Sequence, residues 1–219
     1  LDRQVNALLD ALEENGLRRN TLVVFTTDHG VAFPRAKGTC YDPGIEAALL
    51  MHLPGTIEGG KVYSPLVSTI DYLPTFIELA GGTPPEGIDG KSLLPLLEGR
   101  MSQHRETVFA EMTWHDRYNP MRAVRTPKFK YVKNFGDRPL VFLPSDIFTG
   151  LAGQEMKNEY YTSRRPAEEL YDLENDPLEK NNLAENPAYA SKLEELRETV
   201  AKWRRRGNDP LLQGDVRSE

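Results

Sequence analysis

A run of apolar and β-branched residues at positions 21–27, Thr-Leu-Val-Val-Phe-Thr-Thr, constrains the fold more than any other feature of this chain. A continuous apolar run of this length is typical of a parallel strand that is covered on both faces of a sheet. The preceding residues 2–15 carry leucines and a valine at helical spacing, and Asn15-Gly16 supplies a stop. A helix that leads into a buried strand is the unit from which parallel α/β sheets are built, so the sequence predicts an α/β fold.

The predicted strand is followed directly by Asp28-His29-Gly30. In open α/β sheets, ligands bind outside the carboxyl ends of the strands. Carboxylate and imidazole groups both bind divalent metals, and a glycine lets the backbone turn sharply beneath such a site. A metal site and an ordinary Asp-His-Gly turn are therefore two open interpretations of this spacing.

The rest of the chain divides into two parts with different patterns. Up to about residue 100, the sequence predicts a Gly- and Pro-rich loop, a strand, a helix and a linker, at 30–44, 46–53, 70–80 and 83–85. Further on it predicts an antiparallel hairpin, a strand and a long helix, at 107–134, 168–173 and 189–203. Residues 136–167 show little periodicity and are expected to wrap the surface as a long excursion. We therefore predict two domains, residues 1–100 and residues 101–219.

Composition excludes several classes of protein. The chain has 27 Lys and Arg against 33 Asp and Glu, a net charge of −6, which gives no support for a strongly basic nucleic-acid-binding surface. No apolar run reaches the roughly 18–20 residues that a membrane span requires. Because the chain has a single cysteine, Cys40, it has no internal disulfide.

A second motif stands at positions 37–44, which read Lys-Gly-Thr-Cys-Tyr-Asp-Pro-Gly. With Thr-Asp-His-Gly at 27–30, it resembles the sulfatase branch of the alkaline-phosphatase-like hydrolases. Members of that family carry Asp-Asn-Gly or Asp-His-Gly at a strand end and then a Lys-Gly-Thr-x-Tyr-x-x-Gly segment. The likeness continues through residues 67–75, 88–93 and 169–177, and so covers most of the chain. Pro-Met-Arg-Ala-Val at 120–124 is similar to the sulfamidase group of heparan N-sulfatases in particular.

The resemblance implies a fold and a position within a longer enzyme. Residues 1–100 would be the C-terminal part of an alkaline-phosphatase-like parallel sheet with helices, within the catalytic domain. Residues 101–219 would form a smaller α+β domain with an antiparallel sheet of four strands and a long helix. The family's nucleophile is a formylglycine made from cysteine in a Cys-x-Pro-x-Arg motif, and Cys40 does not stand in that context. We therefore expect the nucleophile in a missing N-terminal part, and we expect this chain alone to be inactive.

The resemblance also implies roles for three residues of the two motifs. Asp28 and His29 match one pair of metal ligands, in a site that upstream aspartates would complete. Oxygen ligands favour calcium, the usual sulfatase ion, whereas the imidazole of His29 keeps zinc or manganese open. Lys37 matches the catalytic lysine that reaches the sulfate group, where a compact ammonium can neutralise one oxygen. Cys40 is interpreted as a packing residue.

Four residues are candidates for contact with the sugar of a sulfated saccharide. They are Glu111, Trp114, His115 and Arg122, of which His115 and Arg122 are the predicted substrate-binding residues. An aromatic face can stack on a sugar ring, and His or Arg can bind hydroxyl, carboxylate or sulfate groups. The alternative is structural: Trp114 would belong to the core, and Arg122 would pair with an Asp or Glu of its own domain.

Three functions remain open at this point. The first is hydrolysis of sulfate esters or N-sulfates on glycosaminoglycan-type sugars. The second is a phosphodiesterase or phosphonate monoester hydrolase on the same scaffold, because the Asp-His form of the metal motif also occurs there. The third is a non-catalytic interaction module. The family implies a periplasmic, extracellular or lysosome-like compartment, and exposed strand edges predict self-association of the isolated chain.

Overall fold

A computed structural model of the chain describes residues 1–216, and the chain divides into two compact units. The first unit contains residues 1–27 and 48–106. The second unit contains residues 28–47 and the chain from residue 107 onward. The segment 28–47, which carries both sequence motifs, therefore folds with the C-terminal part of the chain.

The described residues form six strands and seven α-helices. The strands are β1 Val23–Thr26, β2 Leu49–His52, β3 Val108–Trp114, β4 Tyr118–Arg125, β5 Phe129–Asn134 and β6 Glu168–Asp172. The helices are α1 Asp2–Glu14, α2 Asp42–Ile45, α3 Tyr72–Leu79, α4 Leu94–Leu97, α5 Ser145–Phe148, α6 Leu151–Thr162 and α7 Ala190–Arg206. None of these helices is both long and apolar enough to cross a membrane.

The first unit contains the predicted helix and strand, and its two strands pair in an antiparallel ladder. Helix α1 and strand β1 form where the sequence predicts them. Strand β1 pairs with β2 in an antiparallel ladder, with Phe25 opposite Leu50, a pairing whose direction the sequence did not predict. Both of these side chains are exposed. A continuous apolar run therefore indicated a strand correctly but did not determine the direction of its neighbour.

The second unit is built on an antiparallel sheet of four strands in the order β3-β4-β5-β6. The hairpin of β4 and β5 turns at Thr126-Pro127-Lys128, where a proline cannot donate to the ladder. The register of β3 against β4 shifts between Met112 and Trp114, at the end of the hairpin that carries His115. These observations confirm the predicted mixed α/β class with an antiparallel sheet and a long C-terminal helix.

Helix α7 packs on one face of this sheet, as its apolar spacing predicts. Leu193, Leu196 and Val200 of the helix are buried against Val124 of β4 and Leu170 of β6. The ring of Trp203 stacks on Phe109 of β3 with the ring centroids 4.8 Å apart. These contacts form one of the hydrophobic clusters of the second unit.

The segment at 136–167 departs from its prediction, because it folds into α5 and α6. Helix α6 buries only Gly153 and Tyr160. It therefore lacks the broad apolar face whose periodic spacing indicates a helix in a sequence. The predicted structureless excursion is therefore wrong. The helices pack through Ile147 and Tyr160 in a cluster with Tyr171 of β6.

Two glycines let the segment 28–47 fold back on itself. The amide of Gly30 donates to the carbonyl of Gly44 at 2.9 Å. A Cβ atom on Gly30 would lie 1.9 Å from the carbonyl oxygen of Pro43, and one on Gly44 would lie 2.3 Å from that of Ala36. Both positions therefore require glycine because two stretches of backbone approach closely, rather than for a positive φ.

The packing of α7 yields a prediction for stability. Leu196 is 1% exposed, so Leu196→Ala should lower the free energy of unfolding by about 2–5 kcal/mol through lost burial and a residual cavity. Leu151→Ala is the matched control, because Leu151 is 94% exposed and should change stability little. Chemical denaturation of both variants measures the difference, and equal stabilities would contradict the packing of α7.

Candidate functional site

Asp28 and His29 present one oxygen and one nitrogen side by side. The Nδ1 atom of His29 lies 2.7 Å from the carbonyl oxygen of Gly30. Because a carbonyl only accepts, Nδ1 carries the hydrogen, and in the neutral ring Nε2 keeps its lone pair. That Nε2 atom lies 3.7 Å from Oδ1 of Asp28, whose side chain is 89% exposed. The pair therefore places two potential metal ligands side by side, Nε2 of His29 and Oδ1 of Asp28, and both side chains are accessible to solvent.

This donor set fits a divalent metal. A ring nitrogen that is bonded to a backbone carbonyl fixes the tautomer and orientation of a metal-binding histidine. A carboxylate beside an imidazole suits zinc or manganese, and calcium would rely mainly on the oxygen of Asp28. Within residues 1–216, no group of three or more His, Cys, Asp or Glu side chains is placed to hold a metal ion.

Lys37 lies on the same segment and contacts a carboxylate. Its Nζ atom donates to Oδ2 of Asp146 in α5 at 2.8 Å. The side chain of Lys37 is 17% exposed, and that of Asp146 is 53% exposed. The hydrogen bond from Lys37 holds the pKa of Asp146 below its usual value, so Asp146 is ionised at neutral pH.

His115 is connected to the same helix through Asp116. Nδ1 of His115 lies 2.9 Å from Oδ1 of Asp116. The other carboxylate oxygen of Asp116 accepts from the backbone N–H and the hydroxyl of Ser145, both at 2.5 Å. These two bonds from Ser145 are the main reason that the pKa of Asp116 is lowered. Because Asp146 follows Ser145, the fold brings His115 and Lys37 to the same short helix.

Arg122, a predicted substrate-binding residue, is buried in an ion pair of its own unit, as the structural alternative describes. Its guanidinium is 1% exposed and pairs in bidentate fashion with Asp209, at 3.0 and 2.8 Å. Its Nη1 atom also donates to the carbonyl oxygens of Met112 and Met121, both at 2.9 Å. Burial and these four bonds give the guanidinium a complete set of partners within the chain. Sequence periodicity could not identify Asp209, which lies 87 residues away.

The other two sugar candidates lie near the hairpin end. Trp114 is 42% exposed, and its indole N–H donates to the carbonyl of Val216 at 3.1 Å. Its ring packs beside that of Tyr118, with centroids 5.2 Å apart. The side chain of Glu111 is 61% exposed and lies 3.3 Å from the guanidinium of Arg122. Trp114 therefore keeps part of its surface open next to His115.

Cys40 is a packing residue, as the sequence predicts. It is 2% exposed and lies among Met121, Ala123 and Val132. Burial raises the pKa of its thiol to about 12, so the thiolate form is absent at neutral pH. Cys40 therefore cannot serve as a nucleophile in this structure.

A buried ion network, which the sequence did not predict, attaches the segment 28–47 to the sheet. Lys130 of β5 is fully buried between Asp42 and Glu179, and its Nζ atom lies 2.8 Å from Oε1 of Glu179. The amide of Asp42 donates to Oε2 of Glu179 at 2.7 Å. Burial alone would raise the pKa of Asp42, but Lys130 and Arg125 together hold it below its usual value.

A signal for this network exists in the strand pattern. Lys130 shares one face of β5 with Val132 and Asn134, which are both buried. A lysine on such a face requires a buried anion. Another buried carboxyl group, that of Glu169 on the neighbouring strand, accepts from the hydroxyl of Tyr41 at 2.7 Å and from Nδ2 of Asn134 at 2.6 Å.

Comparison with known families places this segment in a defined group. The family described as N-sulphoglucosamine sulphohydrolase, C-terminal, matches residues 32–143, about half of the chain. The matched range includes Lys37, Cys40, His115 and Arg122.

Two curated relatives cover nearly the whole chain. An ulvan-active sulfatase of Formosa agariphila is 36% identical over 218 residues, which cover 95% of this chain and 41% of the relative. Human N-sulphoglucosamine sulphohydrolase is 31% identical over 240 residues, which cover 97% of this chain and 47% of the relative. The chain thus spans less than half the length of these two proteins.

Solved structures agree at the level of the fold. A structure described as a 2-O GAG sulfatase superposes with a TM-score of 0.75 at 28% identity, over 99% of this chain and 43% of that one. A phosphonate monoester hydrolase of Silicibacter pomeroyi superposes with a TM-score of 0.67 at 24% identity, over 94% and 38%. The fold is therefore that of sulfatases, and a phosphonate hydrolase shares it.

The buried network yields a second stability prediction. Lys130→Met leaves the carboxylates of Asp42 and Glu179 without their shared cation, and should cost about 3–5 kcal/mol of unfolding free energy. Lys128→Met is the matched control, because Lys128 pairs with Glu174 at the surface and should change stability within measurement error. Urea denaturation of the two variants measures the contrast. A K130M variant as stable as K128M would contradict the network.

Proposed function

This chain belongs to the family of N-sulphoglucosamine sulphohydrolase C-terminal regions, and from that membership we propose that it forms part of a sulfatase. The proposed enzyme hydrolyses sulfate esters or N-sulfates, which would make it a sulfuric ester or sulfamide hydrolase. Its curated relatives are more than twice as long as this chain. The chain is therefore proposed to supply one part of an active site, and not the whole of it.

One observation carries this proposal. Asp28 and His29 present adjacent metal-binding atoms on the same folded segment as Lys37, and the contact between Gly30 and Gly44 closes that segment. A divalent cation and a lysine together can neutralise the oxygens of a sulfate group. A turn without function would not need this combination of groups.

Each of the three site residues has a proposed role. Asp28 and His29 would hold the metal, calcium by the oxygen preference and zinc or manganese by the imidazole. When bound, the metal would stabilise the negative charge that develops on the sulfate oxygens. Lys37, whose side chain is 17% exposed, would donate a hydrogen bond to one sulfate oxygen, where screening by water is reduced.

The nucleophile is proposed to come from another part of the enzyme. Sulfatases use a formylglycine derived from a cysteine, and Cys40 is the single cysteine of these 219 residues. Cys40 is buried, and its pKa is raised by that burial. The 219 residues alone are therefore proposed to be inactive, with the formylglycine located upstream of them.

The substrate is proposed to be a sulfated saccharide of the glycosaminoglycan type. One relative is named as an ulvan-active sulfatase and another for N-sulphoglucosamine, and a structural neighbour is named as a 2-O GAG sulfatase. His115, whose ring is about one third exposed, is proposed to bind the sugar beside Lys37. Its bond to Asp116 through Nδ1 leaves the lone pair of Nε2 free to accept a hydrogen bond from a sugar hydroxyl.

A phosphoryl substrate is the second candidate. It is favoured by the imidazole of His29 and by the likeness of the fold to a phosphonate monoester hydrolase. Rates of the complete enzyme with an aryl sulfate and an aryl phosphodiester separate the two functions. A dominant phosphodiesterase activity would overturn the proposed sulfatase.

The role of Lys37 is testable in the complete enzyme. Lys37→Ala should lower kcat/KM for an aryl sulfate by about 100-fold or more, because a charge-stabilising donor is lost. Lys128→Ala is the control, since that exposed lysine lies on the turn between β4 and β5. Steady-state kinetics measures both variants, and a K37A variant with unchanged kcat/KM would remove Lys37 from the site.

We also propose that the isolated chain self-associates. Phe25 and Leu50 face each other across the β1–β2 ladder and are 38% and 62% exposed, which leaves an apolar surface on a sheet of two strands. Light scattering should give a mass above that of a monomer, and Leu50→Lys should shift the distribution towards monomer. A monodisperse wild-type monomer would contradict this expectation.

A further inference from the structure

Lys37, the proposed anion-binding residue, is in contact with an anion of its own chain. Its Nζ atom lies 2.8 Å from Asp146, which is 109 residues away in the sequence. About half of the Asp146 side chain remains exposed, so its carboxylate faces solvent next to the ammonium. A substrate that reaches Lys37 must therefore also meet Asp146.

Asp146 is held in this place from both sides. The residue before it, Ser145, is bonded through its amide and its hydroxyl to Asp116. The residue after it, Ile147, is 5% exposed and packs in the cluster of Tyr41 and Tyr171. A carboxylate on such a fixed backbone is unlike a mobile surface charge, whose ion pairs contribute little.

The position of Asp146 has consequences for the charge of a substrate. The negative charge of Asp146 disfavours a second anionic group near the sulfate that Lys37 binds. The same oxygens can accept hydrogen bonds from a hydroxyl or an amino group. The ammonium of Lys37 keeps further N–H donors for the sulfate, because Asp146 takes only one.

We propose that Asp146 is a specificity-determining residue, which favours sulfate groups flanked by hydrogen-bond donors over those flanked by a second anion. This proposal rests on the proposed function, because it assumes that Lys37 binds the sulfate. Asp146 also orients the ammonium of Lys37, whereas Asp116 is a positioning residue that holds the backbone of α5. The favoured substrates are therefore sugars with a free hydroxyl or amino group beside the sulfate.

Two aryl sulfates test the proposal in the complete enzyme. The probes are para-nitrophenyl sulfate and its derivative with a carboxylate ortho to the sulfate ester. Asp146→Asn keeps an oxygen that accepts from Lys37 but removes the charge. The ratio of kcat/KM for the carboxylate probe to kcat/KM for the plain probe should rise about tenfold in D146N, because the repulsion of two nearby charges is lost.

A second readout does not depend on turnover of either probe. The inhibition constant of inorganic sulfate, or its dissociation constant from calorimetry, should fall severalfold in D146N, since sulfate no longer approaches a carboxylate. Asp146→Ala should show the same change in the probe ratio, together with a lower kcat for both probes because Lys37 loses its partner. Asp137→Asn is the matched control, because Asp137 is an exposed carboxylate 3.7 Å from Arg164 and should leave the ratio and the sulfate affinity unchanged.

The outcomes distinguish the role of Asp146 from the proposed sulfatase function. An active wild-type enzyme with unchanged probe ratio and sulfate affinity in D146N would overturn the role of Asp146 alone. A wild-type enzyme that hydrolyses neither probe and does not bind sulfate would overturn the proposed function, and the role of Asp146 with it. A ratio that changes equally in D146N and D137N would show a general charge effect and would overturn the assignment to Asp146.

Discussion

The burial of Lys130 is the constraint on which the second unit depends. A lysine without exposed surface must keep its counter-charges, and Asp42 and Glu179 supply them from two distant parts of the chain. Asp42 stands in the segment 28–47, Lys130 in β5, and Glu179 after β6. One ammonium therefore links three elements that no local pattern connects, and loss of Lys130 would leave two carboxylates without their shared cation.

The geometry of the candidate site depends on the ion pair between Asp42 and Lys130. The segment 28–47 carries Asp28, His29 and Lys37. Asp42 of the same segment is bonded to Lys130. Arg35 of the same segment donates to the carbonyl oxygen of Leu178 at 2.8 Å, next to Glu179. The site residues are thus presented by a segment that is held at Arg35 and Asp42, which is the arrangement that preorganises charged groups for binding an anion.

Most of the local structure could be predicted from the sequence, and the errors of that prediction have physical causes. Helices α1 and α7 follow from apolar spacing, and the hairpin of β4 and β5 follows from alternation with a central proline. The direction of the β1–β2 pairing was not predicted, because an apolar run reports burial and not the orientation of a neighbour. Helix α6 was missed because it buries too few side chains to leave a periodic signal.

By itself, the sequence determined the family resemblance, the residue types of the two motifs and the packing role of Cys40. These depend on residues that are near each other in the chain or on a single side chain's character. Only the tertiary structure decided that Lys37 meets Asp146, that His115 joins the same helix, and that Arg122 is buried against Asp209. Each of the two ion pairs joins residues more than 80 positions apart, and the choice of a partner at that separation depends on the packing of whole elements.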